Sequence, residues 1–164
     1  AGADAVNSPA VVVVGMGAVT PIGIGLPEFD SGLRAGVCGV GPISSFDASG
    51  YRSSVAAEIR GRPASVHGPG TGIVQGAAYG RAAAFALAAL AEALHGAGLH
   101  RSDLSNFRTG LCLGGSTAGT PEAEVELLDR EADQDYWQVA TPRRFLGTPV
   151  GTTADVLARA AGLR

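Results

Sequence analysis

The stretch Val11-Val-Val-Val-Gly-Met-Gly-Ala-Val-Thr-Pro-Ile-Gly23 constrains this chain more than any other. Four β-branched residues in succession fit a strand buried on both faces, because a half-exposed strand alternates apolar with polar residues. Gly15 and Gly17 then permit a tight turn, and Pro21 keeps the segment from running straight into a helix. A strand is expected over 11–15, with the glycines as a tight turn beneath a sheet.

The rest of the chain alternates helix and strand signals. Residues 1–9 read as a disordered leader and 10–164 as one domain, by the usual length prior. A helix is expected over 27–35, with Pro27 in its first turn, where a missing N–H costs nothing. Residues 36–52 read as Gly- and Ser-rich loop, Ser54–Ile59 as a strand, and 60–72 as a mobile loop with too many turn-formers for a regular element. The longest helix is expected over 73–97, small and apolar on almost every face and so packed on a sheet, with Gly98 as its C-terminal cap. Thr109–Gly114 reads as a second short buried strand that leads into the turn Gly114-Gly-Ser-Thr-Ala-Gly119. Pro121 opens an acidic helix with Glu122, Glu124, Glu126 and Asp129, and a last helix runs from about 150 to 161. This order predicts an α/β layer with a mostly parallel sheet, whose few strands leave open edges.

Charged residues make up only 16% of the 164 positions, against roughly 25% in an average globular domain. So lightly charged an exterior points to partial cover by a partner, although an Ala- and Gly-rich chain has the same composition without one. A net charge of −3 argues against nucleic acid, which needs a basic face. All 12 basic residues are arginine, so no lysine is present for Schiff-base chemistry. Cys38 and Cys112 make no disulfide framework. No apolar run reaches the ~20 residues of a membrane span. A reducing cytoplasm is the expected setting.

Few residues invite a catalytic role. Gly15-Met-Gly17 after a strand suggests dinucleotide binding, but Thr20 stands where the fingerprint wants a third small residue, and Pro21 follows it. Cys112, between Leu111 and Leu113, reads as a buried structural thiol whose pKa burial would raise. Cys38 sits in a Gly-rich loop. His67, His95 and His100 match no metal spacing, and His95 and His100 suit a helix end. Ser116 lacks the second glycine of a nucleophile elbow, since Ala118 takes that place. The turn around it reads as close backbone approach to a partner chain or an acyl tail. No catalytic residue, metal ligand or cofactor is assigned.

Several motifs arrive in a recognisable order: Val-Gly-Met-Gly-Ala-Val-Thr-Pro-Ile-Gly at 14–23, Gly-Leu-Arg-Ala-Gly at 32–36 and Phe-Asp-Ala-Ser-Gly-Tyr at 46–51. Ala-Ala-Glu-Ile at 56–59, Phe-Ala-Leu-Ala-Ala at 85–89, Glu-Ala-Leu at 92–94 and Gly-Leu-Arg at 162–164 follow. The series resembles the β-ketoacyl synthases, the condensing enzymes of fatty-acid and polyketide assembly. The resemblance implies the N-terminal half of a thiolase-like fold, completed by another chain. In that family a nucleophilic cysteine at a helix N-terminus and two histidines carry the condensation, and all would lie beyond Arg164. The chain is therefore expected to be inactive alone.

The resemblance also implies partners. Family members that receive acyl carrier protein carry a basic cluster before the long helix, where an acidic carrier docks by charge complementarity. Here Val66–Gly80 holds no arginine or lysine, and Arg81 is the one cation left. The loss points to a non-catalytic subunit resembling the chain-length factor, assembled with a C-terminal-half polypeptide and a full ketosynthase, and meeting carrier protein only indirectly. Ordinary drift and a fragment of a catalytic synthase stay open as alternatives, with a dinucleotide-binding module as the weaker one. By position, Thr117, Arg144, Phe145 and Pro149 are candidates for the acyl tunnel. Trp137, Thr152 and Asp155 are candidates for the subunit interface.

Overall fold

A computed structural model describes residues 10–60, 80–117, 120, 124 and 152–163. The elements among them are β1 (Val19–Thr20), β2 (Gly23–Ile24), α1 (Leu26–Arg34), β3 (Val40–Pro42), β4 (Val55–Ala57), α2 (Arg81–Gly96), α3 (Arg101–Leu104) and α4 (Thr152–Ala161).

Pro21 and Ile22 turn the chain back between β1 and β2, which pair antiparallel with Val19 opposite Ile24 and Thr20 opposite Gly23. The Thr20 hydroxyl donates to the Gly23 carbonyl at 2.9 Å and accepts from Ile22 N at 3.3 Å, closing the turn. The hairpin feeds α1, whose first turn holds Pro27 and Glu28. Glu28 reaches back to accept a hydrogen bond from Ile24 N at 3.0 Å. At its end the exposed Asp30–Arg34 pair, 2.8 Å apart, adds only a few tenths of a kcal/mol (~0.3–0.5).

β3 and β4 form a second antiparallel pair in the register Val40 to Ala57, Gly41 to Ala56 and Pro42 to Val55. β3 falls inside the stretch expected to be loop. The Glu58 carboxylate, just past β4, ties down the chain leaving β3. It accepts from both the backbone N and the Oγ of Ser44 and Ser45, at 2.7–3.2 Å. These donors stabilise its charged form and hold its pKa at about 2.

The core lies between α2 and α4. Leu87, Ala91 and Leu94 of one helix meet Leu157, Ala160 and Ala161 of the other, and Leu99, Leu104 and Leu111 close the sides. Leu87 is completely buried, which stabilises by about 1.5–3 kcal/mol. Alanines at the contact let the two helices approach closely. The expected cap of α2 is present: Gly98 takes the left-handed conformation at φ +66°. His95 stands in the last turn of α2, as expected. His100 instead opens α3, its Nδ1 accepting from Ser102 N at 3.2 Å while Asp103 Oδ2 accepts from His100 N at 2.7 Å.

Three expectations need correction. The strand over 11–15 is not formed, and Val11–Val14 are 65–100% exposed. A strand exists only through ladder partners, and among the described residues none lies beside this run. Gly15 and Gly17 are not turn residues beneath a sheet. Any side chain on them would meet the carbonyl oxygens of Ala93 and Ala89, so they are the contact by which the chain lies flat on α2. Finally, 109–114 forms no strand, and Cys112 is exposed rather than buried.

Both described strand pairs are antiparallel. Correspondingly, α2 packs on α4 and the hairpin, where a sheet was expected. The helix expected over 73–97 does not run through Gly80, whose extended backbone (ψ 162°) makes it the N-cap of α2. The leader at 1–9, the loop at 61–72, residues 73–79 and most of the acidic helix lie outside the described residues.

Candidate functional site

The residue spacing of α2 builds one wall of an apolar cleft. Ala82, Phe85, Ala86 and Ala89 recur at three- and four-residue steps and so share one helical face. Val19 of the hairpin, Leu113-Gly114-Gly115 of the glycine-rich turn, and Thr153 and Ala154 of α4 complete a cavity of about 460 Å³. That volume lies in the usual range for small-molecule sites. A side chain on Gly114 would meet nothing within 4 Å, so this turn borders open space.

Arg81 opens α2 and precedes the first residue of the cleft wall, Ala82. Its guanidinium lies 5.1 Å from the centre of the Phe85 ring and donates to the Ile59 carbonyl at 2.7 Å. The stacking fixes the one aromatic side chain in the described wall. Three residues past the cleft-lining Ala89, Glu92 anchors the hairpin to α2. Its two carboxylate oxygens accept from Ala18 N at 2.9 Å and from Leu26 N at 2.6 Å.

A second cavity of about 430 Å³ lies between the hairpin and the β3–β4 pair, bordered by Cys38, Glu28, Glu58 and Arg60. No group of three His, Cys, Asp or Glu that could hold a metal occurs among the described residues. Nor is any described helix long and apolar enough to cross a membrane. No helix begins at Gly15 or Gly17, where a dinucleotide fingerprint would need one to receive a pyrophosphate.

Of the residues singled out by sequence, Thr117 is exposed just past the cleft turn and is not among the lining residues. Its carbonyl accepts from Thr120 N at 3.1 Å. Thr152 begins α4, and Asp155 is exposed in the first turn of that helix. Trp137, Arg144, Phe145 and Pro149 lie outside the described residues. Sequence reasoning missed Phe85 and Thr153. The apolar stripe of α2 carried a signal for Phe85, whereas nothing local marks Thr153 as buried.

Comparison with known proteins gives a consistent picture. The family described as β-ketoacyl synthase, N-terminal domain, matches residues 8–160. The tetracenomycin polyketide synthase ketoacyl synthase alpha subunit of Streptomyces glaucescens is 36% identical over 124 residues, 74% of this chain and 26% of that protein. 3-Oxoacyl-[acyl-carrier-protein] synthase 1 of Haemophilus influenzae is 34% identical over 124 residues, 74% of this chain and 28% of that protein. Among solved structures, the ishigamide ketosynthase/chain length factor aligns at a TM-score of 0.69 and 29% identity, covering 93% of this chain and 37% of that one. The chain thus spans between 26% and 36% of the length of the curated relatives it matches.

Proposed function

The chain belongs to the β-ketoacyl synthase family, with the thiolase-like fold of its N-terminal domain, and on that premise we propose a role in type II polyketide or fatty-acyl assembly. In this reading it is a subunit of chain-length-factor type that walls an acyl-binding cleft and condenses nothing by itself. It works in the cytoplasm beside a C-terminal-half polypeptide and a complete ketosynthase, and meets acyl carrier protein through the latter.

The apolar cleft between α2, α4 and the glycine-rich turn carries this reading. Among the described residues its side-chain lining is apolar apart from Thr153, which suits a hydrocarbon chain, and it holds no cysteine, histidine or carboxylate. Two further observations support the partners. Val11–Val14 and Met16 present a run of apolar side chains 60–100% exposed, the kind of surface that a second polypeptide covers. Arg81, the one cation left where a carrier would dock, is engaged with Phe85 and Ile59.

The test mixes the purified chain with acyl and malonyl thioesters of carrier protein, with and without a type II ketosynthase, and reads products by mass spectrometry. Extension is expected only with the ketosynthase present, together with co-elution of the two proteins. Extension by the chain alone would overturn the proposal.

The names of the relatives favour a second reading, in which this domain belongs to a longer catalytic ketosynthase. Reading the gene beyond the codon for Arg164 decides between the two. An open frame continuing into a cysteine-bearing helix start supports the catalytic enzyme.

A further inference from the structure

Among the described residues, the apolar cleft is lined by one polar side chain. Thr153 is 7% exposed and lines the cleft, and its hydroxyl makes no hydrogen bond among the described residues. A helical threonine commonly donates to a carbonyl three or four residues back. The positions three and four residues before Thr153, 150 and 149, lie outside the described residues. A buried hydroxyl without a partner is costly, and such groups in native proteins are kept for a ligand or an ordered water.

The surroundings define what that ligand atom is. The first N–H groups of a helix have no partner within it, and they stand beside Thr153 at the start of α4. Asp155 puts a carboxylate in the same turn, which complements the helix dipole and repels a second anion. A phosphate or carboxylate is therefore disfavoured, and a neutral oxygen acceptor fits. The remaining described wall, which includes Ala82, Phe85, Ala86, Ala89 and Leu113, offers no competing polar side chain.

We propose that Thr153 is a specificity-determining residue: its hydroxyl donates to a ketone oxygen of an acyl chain lying in the cleft, so that an oxo-substituted chain is preferred to a saturated one. This rests on the acyl reading of the cleft given above.

The experiment measures binding of two probes to the full chain by calorimetry: a medium-chain β-oxoacyl pantetheine and the saturated acyl pantetheine of equal length. One neutral hydrogen bond predicts roughly five- to tenfold tighter binding of the oxo probe. Thr153→Val, which keeps the shape and removes the hydroxyl, brings the ratio close to one, and Thr153→Ser restores it. Equal binding of both probes by the unaltered chain overturns the assignment of Thr153 and leaves the acyl reading standing. So does an undiminished preference in folded Thr153→Val. Binding of neither probe overturns the acyl reading itself, and the assignment with it.

Discussion

The carbonyl oxygen of Ala89 occupies the place where a side chain on Gly17 would stand. That contact, repeated one helical turn on between Gly15 and Ala93, lays the segment after the valine run directly against α2. Gly17→Ala must push the two apart. Overpacking of this kind costs ~1–3 kcal/mol, and a domain of this size loses about 2–4 °C in Tm per kcal/mol. Thermal unfolding of Gly17→Ala is expected to show a drop of several degrees. Gly96, the last residue of α2, has nothing within 4 Å of its would-be side chain. Gly96→Ala is therefore the control, and a gain in helix propensity predicts unchanged or slightly raised stability.

Glu92 holds the same junction by charge-assisted hydrogen bonds, one oxygen on Ala18 N and the other on Leu26 N. Removing the carboxylate leaves two backbone donors without their acceptor, at about 1–3 kcal/mol for each that water does not reach. Glu92→Gln retains one oxygen and turns an N–H₂ toward the other donor. Urea unfolding is expected to rank the proteins wild type, Glu92→Gln, Glu92→Ala in falling stability. Equal midpoints for all three would show that the clamp contributes nothing.

The Glu58 cluster gives a pH dependence with a definite sign. Its folded pKa of about 2 lies below the ordinary glutamate value of 4.5. Its contribution is therefore complete above pH 4.5 and is lost as pH falls toward 2. Asp47 shifts the same way, its carboxylate accepting from Ser49 N at 3.0 Å. An NMR titration should place the Glu58 midpoint near 2. In the double variant Ser44→Ala, Ser45→Ala, two of the four donors are gone and the midpoint moves up toward 4.5. A midpoint unmoved by that variant contradicts the hydrogen-bonded origin of the shift.

What could be read from the sequence was local. Pro27, Glu28, Arg34, Gly98 and the alanine-rich stretch each specify a helix or its end through neighbours a few residues away; α1 and α4 stand close to where they were expected and α2 ends where it was expected, but it begins only at Arg81, after the extended Gly80. The failures concern partners. Val11–Val14 announce that they seek burial, but the four residues do not encode which chain lies beside them. Gly15 and Gly17 signal absent side chains equally for a tight turn and for contact with a helix. β3 was hidden because Gly41 and Pro42 read as loop, while its pairing depends on Val55–Ala57, which are distant in sequence. The cleft shows the same division: the stripe through Phe85 is periodic and legible, whereas Thr153 becomes a site residue only once α4 docks on α2.

Cys112 offers the sharpest check on that division, because sequence and structure disagree about it outright. Leu111 and Leu113 on either side argue for a buried thiol, yet Cys112 is exposed, as is Cys38. Leu111 alone of the three turns inward, against the α2–α4 core. A thiol reagent reads exposure directly, since attack requires an accessible thiolate. Both thiols of the native protein are expected to react at rates within a few-fold of those in denaturant. Cys38→Ser leaves a single fast-reacting thiol, and Cys112→Ser does the same. If only one thiol of the native chain reacts and Cys38→Ser abolishes the reaction, Cys112 is covered. Residues 109–114 would then form the buried strand that their sequence suggests.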